Sequence, residues 1–162
     1  MATVPFLVLC ACVLGLYHVE ATPDTLSSAD SSFCQGGLHV IYPELDIDKC
    51  LIIPKDREFR EKVSTVWKAP QIYFTGARKG SGLKKAQIQG TTLTDYSPPT
   101  PPKKTGFHRY QFILFEQPPY GPLSLTEEES TRGKWDLRAF VSRFDLGEPV
   151  ATVQFLTQNY KD

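Results

Sequence analysis

A proline-rich run that feeds straight into a strand places the tightest constraint on this chain. Pro98, Pro99, Pro101 and Pro102 stiffen a loop that passes Lys103, Lys104, Thr105 and Gly106 and then reaches Phe107, His108, Arg109 and Tyr110. Proline fixes its own φ and withholds an N–H, so such a loop can neither continue a helix nor enter the middle of a sheet. The loop leads into the clearest strand in the sequence, 108–117. His108, Tyr110, Phe112 and Leu114 fall on one face; Arg109, Gln111, Ile113 and Phe115 fall on the other. Beyond its first residues both faces are apolar, which predicts a central strand buried on both sides. Because residues i and i+2 share a face, His108 and Tyr110 project together beside the stiff loop, where they could line a small polar pocket.

The remaining elements are shorter. Leu38–Tyr42 and 49–53 read as two strands that stop at Pro43 and Pro54 and flank an acidic turn. Residues 55–67 suggest a helical turn or a covering loop, and 71–74 another strand. The glycine-rich basic stretch 75–82 is expected to be a flexible connection, without the spacing of a phosphate-cradling loop. Residues 86–96 hold a weak strand at most. Leu137, Phe140, Val141 and Phe144 repeat at i, i+3, i+4 and i+7, which predicts one amphipathic helix of about three turns. Gly147 and Pro149 would end it, and 150–160 returns to strand. The expected fold class is mostly β with a single amphipathic helix.

The first 21 residues read as a targeting segment. Residues 5–16 form an apolar run too short to span a bilayer comfortably, and Val19-Glu20-Ala21 fits small-x-small cleavage. A secretory signal over 1–21, a flexible polar leader over 22–32 and one domain over 33–162 are therefore expected. After cleavage no integral membrane segment is expected. Such a signal admits secretion, with a lysosomal destination as the alternative. Removing it also removes Cys10 and Cys12, leaving Cys34 and Cys50 as one expected disulfide. The mature chain lacks the further ligands that a zinc shell would need, so no metal and no cofactor is expected. Eighteen basic residues balance eighteen acidic ones, which gives no reason to expect a nucleic-acid partner.

No catalytic constellation is visible. Only His39 and His108 remain after residue 21, and neither can be placed in a nucleophile–base arrangement by spacing. Asp46 and Asp48 belong to a turn, and Glu127, Glu128 and Glu129 form a solvated run. His39 is expected to be structural. His108 differs through its context: an imidazole can donate to an anion, and Tyr110 offers a hydroxyl beside it.

The segment Gly106-Phe107-His108-Arg109-Tyr110, preceded by Tyr96 and a Pro-Pro-Lys stretch, resembles the G-x-H-R-Y signature of the phosphatidylethanolamine-binding protein family. Thr131-Arg132-Gly133-Lys134-Trp135 and Leu146-Gly147-Glu148-Pro149-Val150-Ala151 resemble two further family motifs. The segment from Phe33 through Leu45, together with the signal segment, points toward secreted members. The resemblance covers about 33–160. It implies a β-sandwich with a small surface pocket for phosphate-like anions and phospholipid headgroups, acting by binding and not as an enzyme. It places His108 and Tyr110 in that pocket, with Gly106 and Pro98 on the adjoining loop. It also suggests modulation of kinase signalling, through MAP kinase or Akt, although secretion makes contact with a cytosolic kinase hard to arrange.

The chain departs from the family in one respect. The family's central D-P-D-A-P-S-R stretch and later H-W pair have no counterpart here: no Asp-Pro and no His-Trp dipeptide occurs anywhere. Central strands and half of the pocket wall are expected to be missing, leaving a shortened variant with uncovered strand edges and weak anion binding. Pro98 cannot donate the backbone N–H that a glycine could bring close to a phosphate. A protein partner is a second expectation. In that case 98–105 acts as an extracellular interaction loop, in the manner of a protease inhibitor, through Lys103 and Lys104.

Overall fold

The computed structural model describes residues 6–11, 25–76, 86–87 and 90–162, with the backbone alone at 6–11 and 86–87. Within these residues the strands form two four-stranded sheets. One contains β1 (Phe6–Ala11), β4 (Leu51–Ile52), β7 (His108–Glu116) and β8 (Ala151–Thr157), in the order β1-β7-β8-β4. The other contains β2 (Leu38–Tyr42), β3 (Leu45–Ile47), β5 (Gln71–Phe74) and β6 (Ala86–Gln87), in the order β3-β2-β5-β6. All pairings are antiparallel except β4 with β8, where Leu51 faces Phe155 and Ile52 faces Leu156.

β7 is buried on both sides, as its two apolar faces require. Tyr110, Phe112 and Leu114 pack with Ala151, Val153 and Phe155 of β8 against Leu38, Val40, Tyr42 and Ile47 of the other sheet. The two sheets therefore share one core, which Phe59, Val63 and Trp67 complete from the helical stretch after β4. The opposite face of β7 sends Ile113 and Phe115 into a second cluster with Phe140 and Leu146. At about 1.5–3 kcal/mol for each fully buried large apolar side chain, this strand carries more of the fold than any neighbour of similar length.

Several expectations are corrected. The acidic turn after β2 is confined to Pro43 and Glu44, because Leu45 already pairs with Tyr42, and Ile47 two residues later is fully buried in the core. Of 49–53 only Leu51–Ile52 is strand: Cys50 is tied to Cys34, while Ile53 still donates its N–H to the Leu156 carbonyl. The 55–67 stretch is helical throughout its middle, as a 3-10 turn (Asp56–Glu58), α2 (Phe59–Glu61) and a π-helical turn (Lys62–Val66).

The helix expected over 137–144 is α4 (Leu137–Arg143), about two turns long. Asp136 caps its start by accepting from the Ala139 N–H. Asp145 ends it by turning to φ +50°, before Gly147 is reached. α4 is also not the only helix. α3 (Glu127–Ser130) is closed by a reciprocal capping box between Thr126 and Glu129, which the sequence showed only as an acidic run.

The leader is corrected as well. Residues 28–32, expected to be flexible, form α1 (Ser28–Ser32), capped by Ser27 and anchored by a buried Asp30. Within the expected signal segment, Phe6–Ala11 pairs along β7 from Phe6 opposite Glu116 to Ala11 opposite Gln111. Residues 1–5 and 12–24 of that segment and leader lie outside the described residues, as do 77–82 of the glycine-rich connection and 88–89 of the weak strand. Gly36 lies hard against the start of β8: its φ is +83°, and a Cβ there would collide with the Val150 carbonyl oxygen and Ala151.

Candidate functional site

The loop before β7 is held from several directions. Pro99 and Pro101 are buried, and Asn159 donates its side-chain amide to the Pro101 carbonyl at 2.8 Å. Asp162 accepts from the Lys104 N–H at 2.9 Å. Lys104 itself has φ +60° and Gly106 has φ +73°, so the chain makes two left-handed residues within three positions. Nothing crowds Gly106, so its glycine is required by backbone conformation and not by space. The Arg60 guanidinium lies 5.2 Å from the Phe107 ring centroid and also donates to the Ile53 carbonyl. These contacts fix the entry to β7 while leaving Lys103 and Lys104 exposed.

His108 sits half-buried at the head of β7. Its Nε2 lies 2.5 Å from the Thr105 hydroxyl, which also lies 2.8 Å from the Pro102 carbonyl oxygen. A hydroxyl has one proton, and a carbonyl can only accept. Thr105 therefore donates to Pro102, and His108 Nε2–H donates to Thr105. The threonine thus orients the imidazole, a role that its place three residues earlier in the sequence did not suggest.

Tyr110 shares the face of His108 but lies deeper. It is 4% exposed, stacked on Phe155 with ring centroids 5.4 Å apart. Tyr96, Ser97 and Pro99 close over it, and the cleft between them has no room for a water molecule. Tyr96 in turn shares a 2.8 Å hydroxyl contact with Tyr42 of the other sheet. Of the four expected ligand-binding residues, His108 and Gly106 stand at the rim, Pro98 is half-buried on the loop, and Tyr110 forms the covered floor.

Arg109, between them, turns to the other face. Its Nε and a terminal nitrogen donate to the two oxygens of Asp30, at 2.5 and 3.1 Å. Gln154 donates to Asp30 as well and accepts from Gln111. The Arg109 hydrogen bond holds the Asp30 carboxyl below the usual carboxylate range, against the opposing pull of its burial. This network seats α1 on the sheet. Sequence reading missed it, since Asp30 looked like part of a polar leader.

The disulfide expected between Cys34 and Cys50 is formed, with Cα atoms 5.6 Å apart. It fastens the segment after α1 to the start of β4. Among the described residues no three His, Cys, Asp or Glu side chains come together in a way that could hold a metal ion, and no helix is long and apolar enough to cross a membrane.

Two sheets sharing one core, a disulfide beside the β8–β4 end of one of them and a histidine at the head of the central strand define a small β-rich domain with a polar rim. The sequence model described as phosphatidylethanolamine-binding protein matches residues 23–159, and the chain belongs to that family. A curated relative, the "26 kDa secreted antigen" of Toxocara canis, is 41% identical over 66 residues. That match covers 38% of this chain and only 25% of the relative.

Proposed function

We infer that the chain is a secreted, non-enzymatic binding protein whose His108 rim takes a phosphate-like anion, such as a phospholipid headgroup, weakly. The observation that carries this reading is the His108–Thr105–Pro102 relay at the end of a fixed loop. It presents an oriented imidazole at the surface beside the left-handed Gly106 and the exposed Lys103 and Lys104. The family supports the ligand class, and the name of the Toxocara canis relative supports secretion. No observation favours a lysosomal destination over it.

The weakness follows from the floor. With Tyr110 stacked on Phe155 and covered by Tyr96 and Pro99, the site is a rim without a well-formed cavity. That suits a shortened form of the family's β-sandwich in which central strands are missing. Any effect on MAP kinase or Akt signalling would then be exerted from outside the cell.

A calorimetric titration with phosphoethanolamine, and separately with inorganic phosphate, tests the reading. Millimolar binding is expected, reduced at least about tenfold by His108→Ala because, with Nε2–H held by Thr105, the Nδ1–H of the protonated imidazole is the donor to the anion and is lost. Heat that is unchanged by the substitution would place the anion elsewhere.

A second reading is favoured by the exposure of Lys103 and Lys104 on a loop anchored by Asn159 and Asp162. Such a rigid basic loop suits an acidic protein partner. Charge reversal at both lysines should abolish capture of that partner, whereas His108→Ala should leave capture intact and weaken phosphoethanolamine binding instead.

A further inference from the structure

We propose that the mature chain is a two-fold dimer in which β7 pairs antiparallel with β7 of a second copy, along the edge that β1 occupies in the full chain. The inference rests on removal of residues 1–21 as a secretory signal.

The ladder shows which backbone groups face that edge. Gln35 and Thr152 exchange both of their hydrogen bonds, at 3.0 and 2.8 Å, so Thr152 points away from β7. Leu156 does the same, accepting from the Ile53 N–H. Residues directly opposed in an antiparallel ladder share this alternation. Ile113, opposite Thr152, and Arg109, opposite Leu156, therefore turn their own N–H and C=O groups away from β8. Gln111, Ile113 and Phe115 present theirs to β1. Loss of residues 1–21 leaves these groups unpaired next to two apolar clusters, an arrangement that folded chains avoid.

The edge also lacks the usual protection. Gln111-Phe112-Ile113-Leu114-Phe115 contains no proline, no lysine and no other charge, and Glu116 comes only at its end. β1 shows what this edge accepts: an antiparallel apolar strand, Phe-Leu-Val-Leu-Cys-Ala. β7 itself has that composition, and pairing it with its own copy about a two-fold axis is antiparallel by symmetry. Only odd-numbered residues face the seam. A two-fold centred on Ile113 sets that residue opposite its own copy and Gln111 opposite Phe115. The result is one continuous sheet in the order β4-β8-β7-β7-β8-β4.

The full chain, expressed through the secretory route of cultured cells and collected from the medium, provides the test. Intact mass identifies its N-terminus, sedimentation equilibrium its assembly, and amide hydrogen exchange its seam. The expected product begins at Thr22 and sediments at twice its chain mass. Its Gln111, Ile113 and Phe115 amides should be protected to within about tenfold of Phe112 and Leu114, whose partners lie in β8. A product that retains Met1, or none in the medium, defeats the signal reading and the dimer with it. A monomer beginning at Thr22 overturns the dimer alone. So does a dimer in which those three amides exchange freely, because its contact then lies on another surface.

Discussion

At the scale of single residues, the signature around His108 divides its work between two faces. His108 serves the rim and Arg109 serves the scaffold through Asp30. The pairing of His108 with Tyr110 on one face was legible, because alternation along a strand is a property of the backbone. The depth of Tyr110 was not, since it depends on Tyr96 and Pro99 folding over it. The partner of Arg109 was hidden for a similar reason: Asp30 lies 79 residues away in a stretch of polar composition.

The lowered pKa of Asp30 has a direct consequence. Its carboxylate stabilises the fold fully at pH values above the ordinary carboxylate range, and that stabilisation is lost as pH falls below about 4 and through the depressed value. Asp30→Asn should therefore lower the melting temperature at neutral pH and flatten its decline in acid, as followed by circular dichroism. A parallel acid limb in both proteins would show that the carboxylate is not linked to folding. Gly106→Ala, at φ +73°, should cost about 1–2 kcal/mol in chemical denaturation from backbone strain alone.

At the scale of elements, β7 and β8 were legible because long apolar strands carry a signal that no loop imitates. The β2–β5 pair is also where the sequence places strands. β3 was not visible: three residues after a two-residue turn give too little alternation, and only the burial of Ile47 reveals it. α1 and α3 were missed because each is shorter than the repeat needed to show periodicity, and both are defined by side-chain caps. α4 was placed correctly and drawn too long, since Asp145 and not Gly147 stops it.

The second cluster depends on α4 through Phe140, which is fully buried between Trp135 and Phe144. Phe140→Ala should destabilise by about 3–5 kcal/mol. In a domain with only about 5–15 kcal/mol to lose, that approaches global unfolding. Urea midpoints of the two proteins measure it directly. Reduction of Cys34–Cys50 should cost about 3 kcal/mol, because the bridge closes a loop with a sequence separation of 16.

At the scale of the whole molecule, one strand organises both clusters, and its outer neighbour comes from the segment that reads as a signal. Composition and alternation point to a β-rich fold, and the two sheets bear that out. They do not reveal which segment covers which edge, because backbone pairing is indifferent to sequence distance. The central claim, however, concerns the rim. An amide-resolved NMR spectrum of the secreted protein, recorded with and without phosphoethanolamine, addresses it most directly. The account predicts dispersed peaks, with shifts confined to Thr105, Gly106, Phe107, His108 and their loop. A dispersed spectrum that does not move at millimolar ligand, or one that moves only at other surfaces, would contradict it.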